Sequence, residues 1–310
     1  MAVAWEKLGR LIDPAGISWW QQKYAFPPTP FEIAPDRLRL FLAFCDGDTR
    51  GRIGYVDVDT KDPTRILEIS SEPLLDIGRP GTFDEHGLLP TCVIEVDDEI
   101  RMFYVGYQRG AQVPYHQFAG LAISRDGGNT FSRWSETPIL ERSDGELHHR
   151  TSTFVRRTED GFRMWYVGGS SWTTVGEKPM PVYPMRFIDS KDGFTWPRHG
   201  QICIDFASED EIAFGRPWVT EEADDILSMH FSVRRKSIGY RIESASSNDG
   251  GASWIRQGLV EGLGVSDSGW DSEMTAYAAL WESNMNLFAF YNGNGCGATG
   301  FGIARKTQQI

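Results

Sequence analysis

Carboxylates recur at one kind of position in this chain, directly before segments of apolar residues. Asp84 and Glu85 precede one such segment, and Asp271 and Glu273 precede another much later in the chain. Cleavage of a glycosidic bond uses two facing carboxyl groups, one protonated and one ionised. Burial and mutual repulsion can hold two carboxyl groups in these different states. We therefore take Asp84, Glu85, Asp271 and Glu273 as candidate catalytic residues.

Arginine occupies the same kind of position in two further segments, at Arg150 and Arg216. A guanidinium can bind a carboxylate or a phosphate through two parallel hydrogen bonds, so these residues favour an anionic ligand. In the alternative interpretation, Asp84 and Asp271 cap turns and pair with the two arginines. Aromatic side chains near these segments could stack on a sugar. The candidate substrate-binding residues are basic, aromatic and amide side chains: Arg109, Tyr115, His116, His149, Arg150, Arg216, Tyr240, Trp270 and Asn292.

Metal and cofactor chemistry is not expected from the sequence. The chain has six histidines. His148 and His149 are adjacent, so on a strand they would face opposite sides. No motif has the ligand spacing of a metal site, and the glycine-rich segment "GNGCGATGFG" opens no helix that could cradle a phosphate. The sequence therefore predicts neither a metal nor a cofactor.

Three similar phrases, "SRDGGNTF", "SKDGFTW" and "SNDGGASW", mark the elements that must position these candidates. Asp-Gly and Gly-Gly pairs permit the positive φ of a tight hairpin turn. The Asp side chain can accept backbone hydrogen bonds within the turn. Each phrase therefore predicts a strand, a turn and a strand, and we interpret its aspartate as structural.

Strands with apolar, mostly aromatic centres repeat about every 60 residues, at Leu42, Tyr104, Tyr166, Phe231 and Tyr291. A further strand is predicted before each of them. Short strands grouped in fours and repeated at this spacing are typical of a β-propeller. The sequence therefore predicts an all-β fold, a five-bladed β-propeller that forms a single domain over residues 1–310. The candidate residues would then lie where the inner strands converge on a central pocket.

The segments "FDEHGLLP", "RMFYVGYQ", "GRPWV", "GWDSEMTAY" and "FYNGNGCGATGFGIA" lie between about Phe83 and Ala304. They resemble a bacterial group of five-bladed propeller proteins related to glycoside hydrolase families 43, 32 and 130. Members of this group are often encoded among surface-polysaccharide genes. The resemblance implies that an acid, a base and a carboxylate that tunes the acid come from different blades. The implied candidates are Asp84 or Glu85, Glu146 or Glu211, and Asp271 or Glu273. The first-blade Asp of the family pattern has no clear match in this sequence.

Three functions fit these observations. The first is a glycoside hydrolase-like enzyme of carbohydrate metabolism, acting on a glycosidic bond of a surface-glycan precursor or fragment. The second is a glycoside phosphorylase, in which Arg150, Arg216 and His149 bind phosphate. The third is a sugar-binding propeller without catalysis. All three take a carbohydrate ligand, and the arginines favour an acidic one.

The composition restricts the partners and the compartment. The 310-residue chain has a formal net charge of −12, and a pI near 5.0, so nucleic acid and anionic membranes are not expected as partners. We see no signal peptide and no membrane span. The four cysteines are far apart and lack C-x-x-C spacing, which favours reduced thiols in the cytoplasm. The sequence does not set the oligomeric state.

Overall fold

The computed structural model describes residues 5–283 and 286–307, and it consists almost entirely of antiparallel strands. These residues form 22 strands, which are numbered here in chain order. The helical segments described are a 3-10 turn at Ala223–Asp225 and the four-residue helix α1 at Asn294–Gly297. The all-β fold expected from the sequence is confirmed.

Twenty of the strands form five antiparallel units of four strands each. Strand β1 (Glu6–Ile12) belongs to the fifth unit. The first unit contains β2 (Lys23–Ala34), β3 (Arg37–Cys45), β4 (Gly51–Asp59) and β5 (Ile66–Ile69). The second contains β6 (Leu88–Val96), β7 (Glu99–Arg109), β8 (Tyr115–Ser124) and β9 (Ser132–Arg133). The third contains β10 (His149–Thr158) and β11 (Gly161–Gly169), then an inserted hairpin of β12 (Ser171–Val175) and β13 (Lys178–Val182), then β14 (Met185–Ser190) and β15 (Gln201–Ile204). The fourth contains β16 (Glu211–Glu221), β17 (Leu227–Arg235), β18 (Tyr240–Ser247) and β19 (Ile255–Leu259). The fifth contains β20 (Ala276–Ser283), β21 (Asn286–Asn292), β22 (Phe301–Thr307) and β1.

The first strands of the five units contact one another in a closed order. Strand β2 contacts β6, β6 contacts β10, β10 contacts β16, β16 contacts β20, and β20 contacts β2. A short parallel pairing of β8 with β10 also joins the second and third units. Strand β1 pairs with β22, so a segment near the start of the chain completes the unit formed near its end. The five first strands therefore enclose a common centre.

The second strand of each unit supplies the large buried side chains that the sequence repeat predicts. Leu42, Tyr104, Tyr166, Phe231 and Tyr291 are all at most 1% exposed. Their burial follows from the position of the second strand, which has a neighbouring strand on each side. Burial of such side chains contributes about 1.5–3 kcal/mol each, and this core holds each unit together.

The three repeated phrases form the turns that the sequence predicts. Asp126 Oδ1 accepts the backbone N–H groups of residues 129 and 130, and Asp249 accepts those of residues 252 and 253. Asp192 accepts the N–H groups of residues 194 and 195. These bonds close the turns, which is the structural role expected of the aspartates.

An arginine on the preceding unit binds each of these turns. Arg39 donates to the carbonyl of Gly128 at 2.9 Å, and Arg163 donates to the carbonyl of Gly250 at 2.8 Å. Arg101 makes the equivalent 2.9 Å bond to the carbonyl of residue 192. Each of these arginines lies near the start of the second strand of its unit. The repeated turns therefore connect neighbouring units as well as neighbouring strands.

Candidate functional site

The first strand of every unit is irregular near the common centre. Its pairing with the second strand shifts register at one equivalent place, between residues 26 and 29, 90 and 92, 151 and 154, 215 and 218, and 276 and 279. Such bulges bend a strand and redirect its side chains. Ser152, Arg216 and Tyr277 lie in three of these bulges with φ values of 52°, 38° and 58°. Non-glycine residues in this region are strained and are found preferentially at functional sites.

The five bulges line a cavity of about 140 Å³, which we name the central cavity. Each bulge contributes one lining residue: Pro27, Thr91, Ser152, Arg216 and Tyr277. A second pocket of about 260 Å³ shares Phe26, Leu89 and Gln117 with the central cavity, and we name it the outer pocket. Together the two volumes fall within the range of roughly 300–1,000 Å³ that is typical of small-molecule sites.

Four tyrosines give the central cavity a lining of hydrogen-bond donors. Tyr115, Tyr183, Tyr240 and Tyr277 all line it. The hydroxyl oxygens of Tyr183 and Tyr240 are 3.3 Å apart. Burial raises the pKa of each phenol above its ordinary value of 10. The phenols therefore keep their protons at neutral pH and can donate to a ligand.

Arg216 brings a buried positive charge to the same cavity. Its side chain is 1% exposed, and it donates to the carbonyl of Tyr277 at 3.0 Å and to the hydroxyl of Thr29 at 2.8 Å. Its Nε has no partner among the described residues. Burial lowers the pKa of Arg216 to about 9, so the guanidinium stays charged at pH 7. No carboxylate of the described chain pairs with it.

Arg234 also lines the central cavity, and its guanidinium lies 5.2 Å from the ring centre of Tyr240. Within the described ranges, no residue accepts a hydrogen bond or an ion pair from this side chain. No Asp or Glu of these ranges lines the central cavity or the outer pocket. The site thus combines two arginines with four phenols, and all of these groups can donate hydrogen bonds to a ligand.

Asp84 and Asp271, two of the four candidate catalytic residues, lie in buried ion pairs away from this lining. Arg133 Nε donates to Asp84 at 2.7 Å, and Lys7 Nζ donates to Asp271 at 2.6 Å. Asp84 also accepts the hydroxyl of Tyr104, which follows it by 20 residues. These partners differ from Arg150 and Arg216, the partners that the alternative interpretation names.

The same carboxylate-to-tyrosine contact recurs across the units with a spacing of 20 residues. Tyr291 donates to Asp271 at 3.0 Å, and Tyr166 donates to Glu146 at 2.8 Å. In these three units the contact ties the loop before the first strand to the buried second strand. In the fourth unit Phe231 replaces the tyrosine, and Glu211 is bound by arginines instead. The recurrence of carboxylates before apolar segments therefore has a structural basis.

Glu85 and Glu273 have different surroundings from the two aspartates. Glu85 is part-exposed, and it accepts the N–H of Gly81 and the amide of Gln108, each at 2.8 Å. The bond from Gly81 lowers the pKa of Glu85 below its ordinary value. Its neighbour His86 lines the outer pocket. Glu273 is exposed, and its backbone carbonyl accepts a hydrogen bond from Arg241.

Three of the candidate binding residues, Tyr115, Arg216 and Tyr240, line the central cavity. His149 lies directly behind them, fully buried, with ring centres 5.6 Å from Tyr115 and 5.1 Å from Tyr183. Burial lowers the pKa of His149 to about 3, so its ring is neutral near pH 7. His149 supports the cavity wall and does not line it.

The remaining candidates lie outside the central cavity. Arg150 donates to Glu146 at 2.8 Å, and both side chains of this ion pair are buried. Asn292 donates to the carbonyl of residue 25 at 2.7 Å and so connects β21 to β2. Trp270 packs against the ring of Tyr291. His116 lies with its Nδ1 3.4 Å from that of His148, and Arg109 donates to the carbonyl of residue 48 at the edge of the outer pocket.

The sequence reasoning did not find Ser152, Tyr183, Arg234, Tyr277 and Cys296, which all line the central cavity. A signal for Ser152 and Tyr277 was present, because both lie in first strands near the position of Arg216. Nothing in the local sequence marks Arg234 or Cys296.

Within residues 5–283 and 286–307, no group of three or more metal-ligating side chains could hold an ion. None of the helices described there has the length and apolar character needed to span a bilayer.

Comparisons with known proteins agree with this fold. No family model matches the chain. The chain is 33% identical over 302 residues to the uncharacterised protein Rv1502 of Mycobacterium tuberculosis strain H37Rv, with 97% of this chain and 99% of that protein covered. It is equally similar to the uncharacterised protein MT1551 of strain CDC 1551.

Solved structures with the same fold include enzymes that act on glycosides. A glycoside hydrolase superposes with a TM-score of 0.77 at 17% identity, covering 98% of this chain and 92% of that one. A thermostable family-43 glycoside hydrolase gives a TM-score of 0.69 at 15% identity, with coverage of 93% and 90%. The β-1,2-mannobiose phosphorylase of Listeria innocua gives 0.70 at 11% identity, with coverage of 99% and 97%. The chain therefore belongs to one family with the two M. tuberculosis proteins and has the all-β fold of these glycoside hydrolases and phosphorylases.

Proposed function

We propose that the protein is a five-bladed β-propeller that recognises an anionic saccharide, with Arg216 and Arg234 binding the charged group in the central cavity. The observation that carries the proposal is the buried, charged Arg216, for which the described chain offers no carboxylate. The five four-stranded units, and the closed order of contacts between their first strands, support the blade count. The central cavity would then lie on the propeller axis.

The chemistry of the lining favours an anion over a neutral sugar. Burying a charge without a partner costs several kcal/mol, and an anion that reaches Arg216 would offset that cost. Arg216, Arg234 and the four phenols provide donors, and a carboxylate or phosphate provides only acceptor oxygens once ionised. With a volume of about 140 Å³, the central cavity is large enough for a charged substituent of a sugar. The sugar ring would lie in the outer pocket, against Tyr24, Tyr107 and His86.

Binding titrations with glucose and two of its anionic derivatives test this proposal. The probes are glucuronic acid, glucose 1-phosphate and glucose, titrated at low and at high salt. The acidic probes should bind more tightly than glucose, and their affinity should fall as salt rises. Arg216→Gln and Arg234→Gln should each weaken them, whereas Arg79→Gln should not, because Arg79 lies on the surface and pairs with Glu136. Equal binding of glucose and the acidic probes would overturn the proposal.

A second candidate function, cleavage of a glycosidic bond, rests on Glu85. Glu85 is the one part-exposed candidate carboxylate beside the outer pocket, and no described Arg or Lys pairs with it. Its lowered pKa suits a base or a nucleophile better than an acid. With hydrogen phosphate bound at Arg216 and Arg234 as the nucleophile, the same site would act as a phosphorylase, in which Glu85 takes the proton of the phosphate and passes it to the leaving sugar oxygen. The substrate would be a surface-glycan precursor or fragment in the cytoplasm, a compartment in which four free cysteines are usual.

Aryl glycosides and oligosaccharides, assayed with and without phosphate, separate the two candidates. Phosphate-dependent turnover that Glu85→Gln abolishes would establish catalysis at this site. Binding of acidic probes without turnover, at equal strength in the wild type and in Glu85→Gln, would establish recognition alone.

A further inference from the structure

The third unit carries an insertion that the other units lack within the described residues. The hairpin β12–β13 stands between the second and third strands of that unit, where the other units have a loop without strands. The residue that follows β13 is Tyr183, which lines the central cavity. Tyr183 also bridges to Ala213 of β16, the strand that carries Arg216. The hairpin therefore projects from the rim of the central cavity.

Trp172 on this hairpin is joined to the cavity lining through one aromatic contact. Its ring centre lies 5.2 Å from that of Tyr115, in an edge-on arrangement, and 5.2 Å from that of His149. Tyr115 lines the central cavity on its other side. The two aromatic side chains thus form a continuous wall that leads outward from the cavity.

The outer end of this wall borders a groove of about 350 Å³. Trp172 and Pro179 of the hairpin form one side, and the loop of residues 110–114 forms the other. The N–H of Gly110 donates to the carbonyl of Pro114 at 3.1 Å and closes that loop. A Cβ at Gly110 would lie 2.3 Å from the carbonyl oxygen of Val113, so this loop shape requires glycine.

We propose that this groove is a second saccharide subsite, in which the sugar next to the charged one stacks against Trp172. The inference rests on the proposed function, and it makes the ligand an acidic oligosaccharide that enters the central cavity by its charged terminal sugar. A part-exposed indole, flanked by prolines, offers an apolar face to the C–H face of a sugar ring. The shared wall of Tyr115 and Trp172 fixes the direction in which the chain of sugars leaves the cavity.

Pairs of acidic probes, each a monomer and an oligomer of the same sugar, test the subsite. The probes are galacturonic acid with its α-1,4-linked trimer, and N-acetylneuraminic acid with its α-2,8-linked dimer, each titrated calorimetrically. In the wild type, the longer member of at least one pair should bind about two- to tenfold more tightly than its monomer, the range for one aromatic stacking contact. Trp172→Ala should bring this ratio close to one, and Trp172→Phe should preserve part of it.

Trp134→Ala is the matched control, because Trp134 is 51% exposed and stacks on Phe194 away from the cavity lining. It should leave the ratio unchanged. Thermal unfolding of each variant, and light scattering of the wild type and of Trp172→Ala, accompany the titrations. A ratio near one in the wild type, or a ratio that survives in Trp172→Ala, overturns the subsite while monomer binding still supports the proposed function. If the groove instead pairs two copies of the chain, Trp172→Ala should differ from the wild type in its mass in solution. This result would also overturn the subsite. A wild type that binds no acidic probe overturns the proposed function and the subsite together.

Discussion

Arg150 and Arg216 are a natural pair for testing whether the central cavity holds an unpaired positive charge. Both side chains are buried, at 2% and 1% exposure. Arg150 binds the carboxylate of Glu146 at 2.8 Å. Arg216 donates only to a carbonyl and to a hydroxyl. Substitution of either by methionine removes the charge and keeps an unbranched, adaptable side chain.

The two substitutions should differ in their effect on the free energy of unfolding. Breaking a buried ion pair costs about 3–5 kcal/mol. Glu146 would keep the hydroxyl of Tyr166 and a longer contact with Arg186 at 3.7 Å, so Arg150→Met should lose about 3 kcal/mol, the lower end of that range. For Arg216, burial lowers the pKa from 12.5 to about 9. This change corresponds to about 5 kcal/mol of unfavourable free energy in the charged form. Methionine removes that cost together with two hydrogen bonds of about 1.5–3 kcal/mol each. The terms nearly cancel, so Arg216→Met should stay within about 2 kcal/mol of the wild type.

Urea unfolding at pH 7, followed by tryptophan fluorescence, measures both differences. Glucuronic acid should raise the midpoint of the wild type, because a ligand that binds only the folded state stabilises it. It should not raise the midpoint of Arg216→Met. A loss of stability in Arg216→Met as large as in Arg150→Met would show that Arg216 has an anionic partner within the protein. That result would refute the reasoning from an unpaired charge.

Three further predictions concern residues that hold the fold together. Asp84→Asn should lower the free energy of unfolding by about 1.5–3 kcal/mol, because the part-exposed Arg133 loses a charge-assisted hydrogen bond, yet calorimetry should find unchanged affinity for acidic probes; a loss of affinity would show that Asp84 takes part in binding. Arg163→Gln should lower the thermal midpoint, because it removes the 2.8 Å bond to the carbonyl of Gly250, while the exposed Arg79→Gln should not. The pKa of His149 is lowered by burial to about 3, against an ordinary value of 6.5, so the unfolded chain binds more protons between these values. Stability should therefore fall as the pH drops from 6.5 towards 3, and His149→Gln should show a shallower fall in urea midpoints measured across that range; parallel curves would contradict the assignment.

The strands and turns could be predicted because their causes are local. The phrase around Asp126 needs only neighbouring N–H groups to form its turn, and the same is true of the copies at Asp192 and Asp249. The burial of Tyr104 and Tyr166 follows from the aromatic centre of the second strands. A repeat of local signals therefore predicts the units and their order.

The role of the carboxylates could not be predicted, because their partners are distant in sequence. Asp271 binds Lys7 across 264 positions, and this pair exists only because β1 joins the unit formed near the other end of the chain. The sequence shows that a carboxylate recurs at Asp84 and Asp271, but not that a tyrosine 20 residues later accounts for the recurrence. The candidate catalytic residues stand out because carboxylates recur at one kind of position in the sequence. This recurrence reflects the carboxylate-to-tyrosine contact that is repeated between units.

The residues that line the central cavity could not all be predicted from the sequence, for a different reason. Along a regular strand, every second side chain faces the same way, so the face of a residue follows from its position. A bulge adds a residue and changes this alternation. All five first strands have such a bulge at the cavity. Simple alternation therefore predicts the wrong face of the strand for side chains in and after the bulge. Knowledge of the bulge is needed to find Ser152 and Tyr277.

The charged residues of this protein therefore divide into two sets with different constraints. Those in the loops before the first strands, such as Asp84, Glu146 and Asp271, each bind a tyrosine and a cation and are tied to the packing of their unit. Residues in the bulges, such as Arg216, line the cavity, and Arg216 donates to the carbonyl of Tyr277 in the neighbouring bulge. A change in the first set alters stability, whereas a change in the second alters the chemistry of the cavity at little cost to the fold. The ligand of this protein should accordingly be sought from the five bulge residues and from Arg234, rather than from the carboxylates that recur most visibly in the sequence.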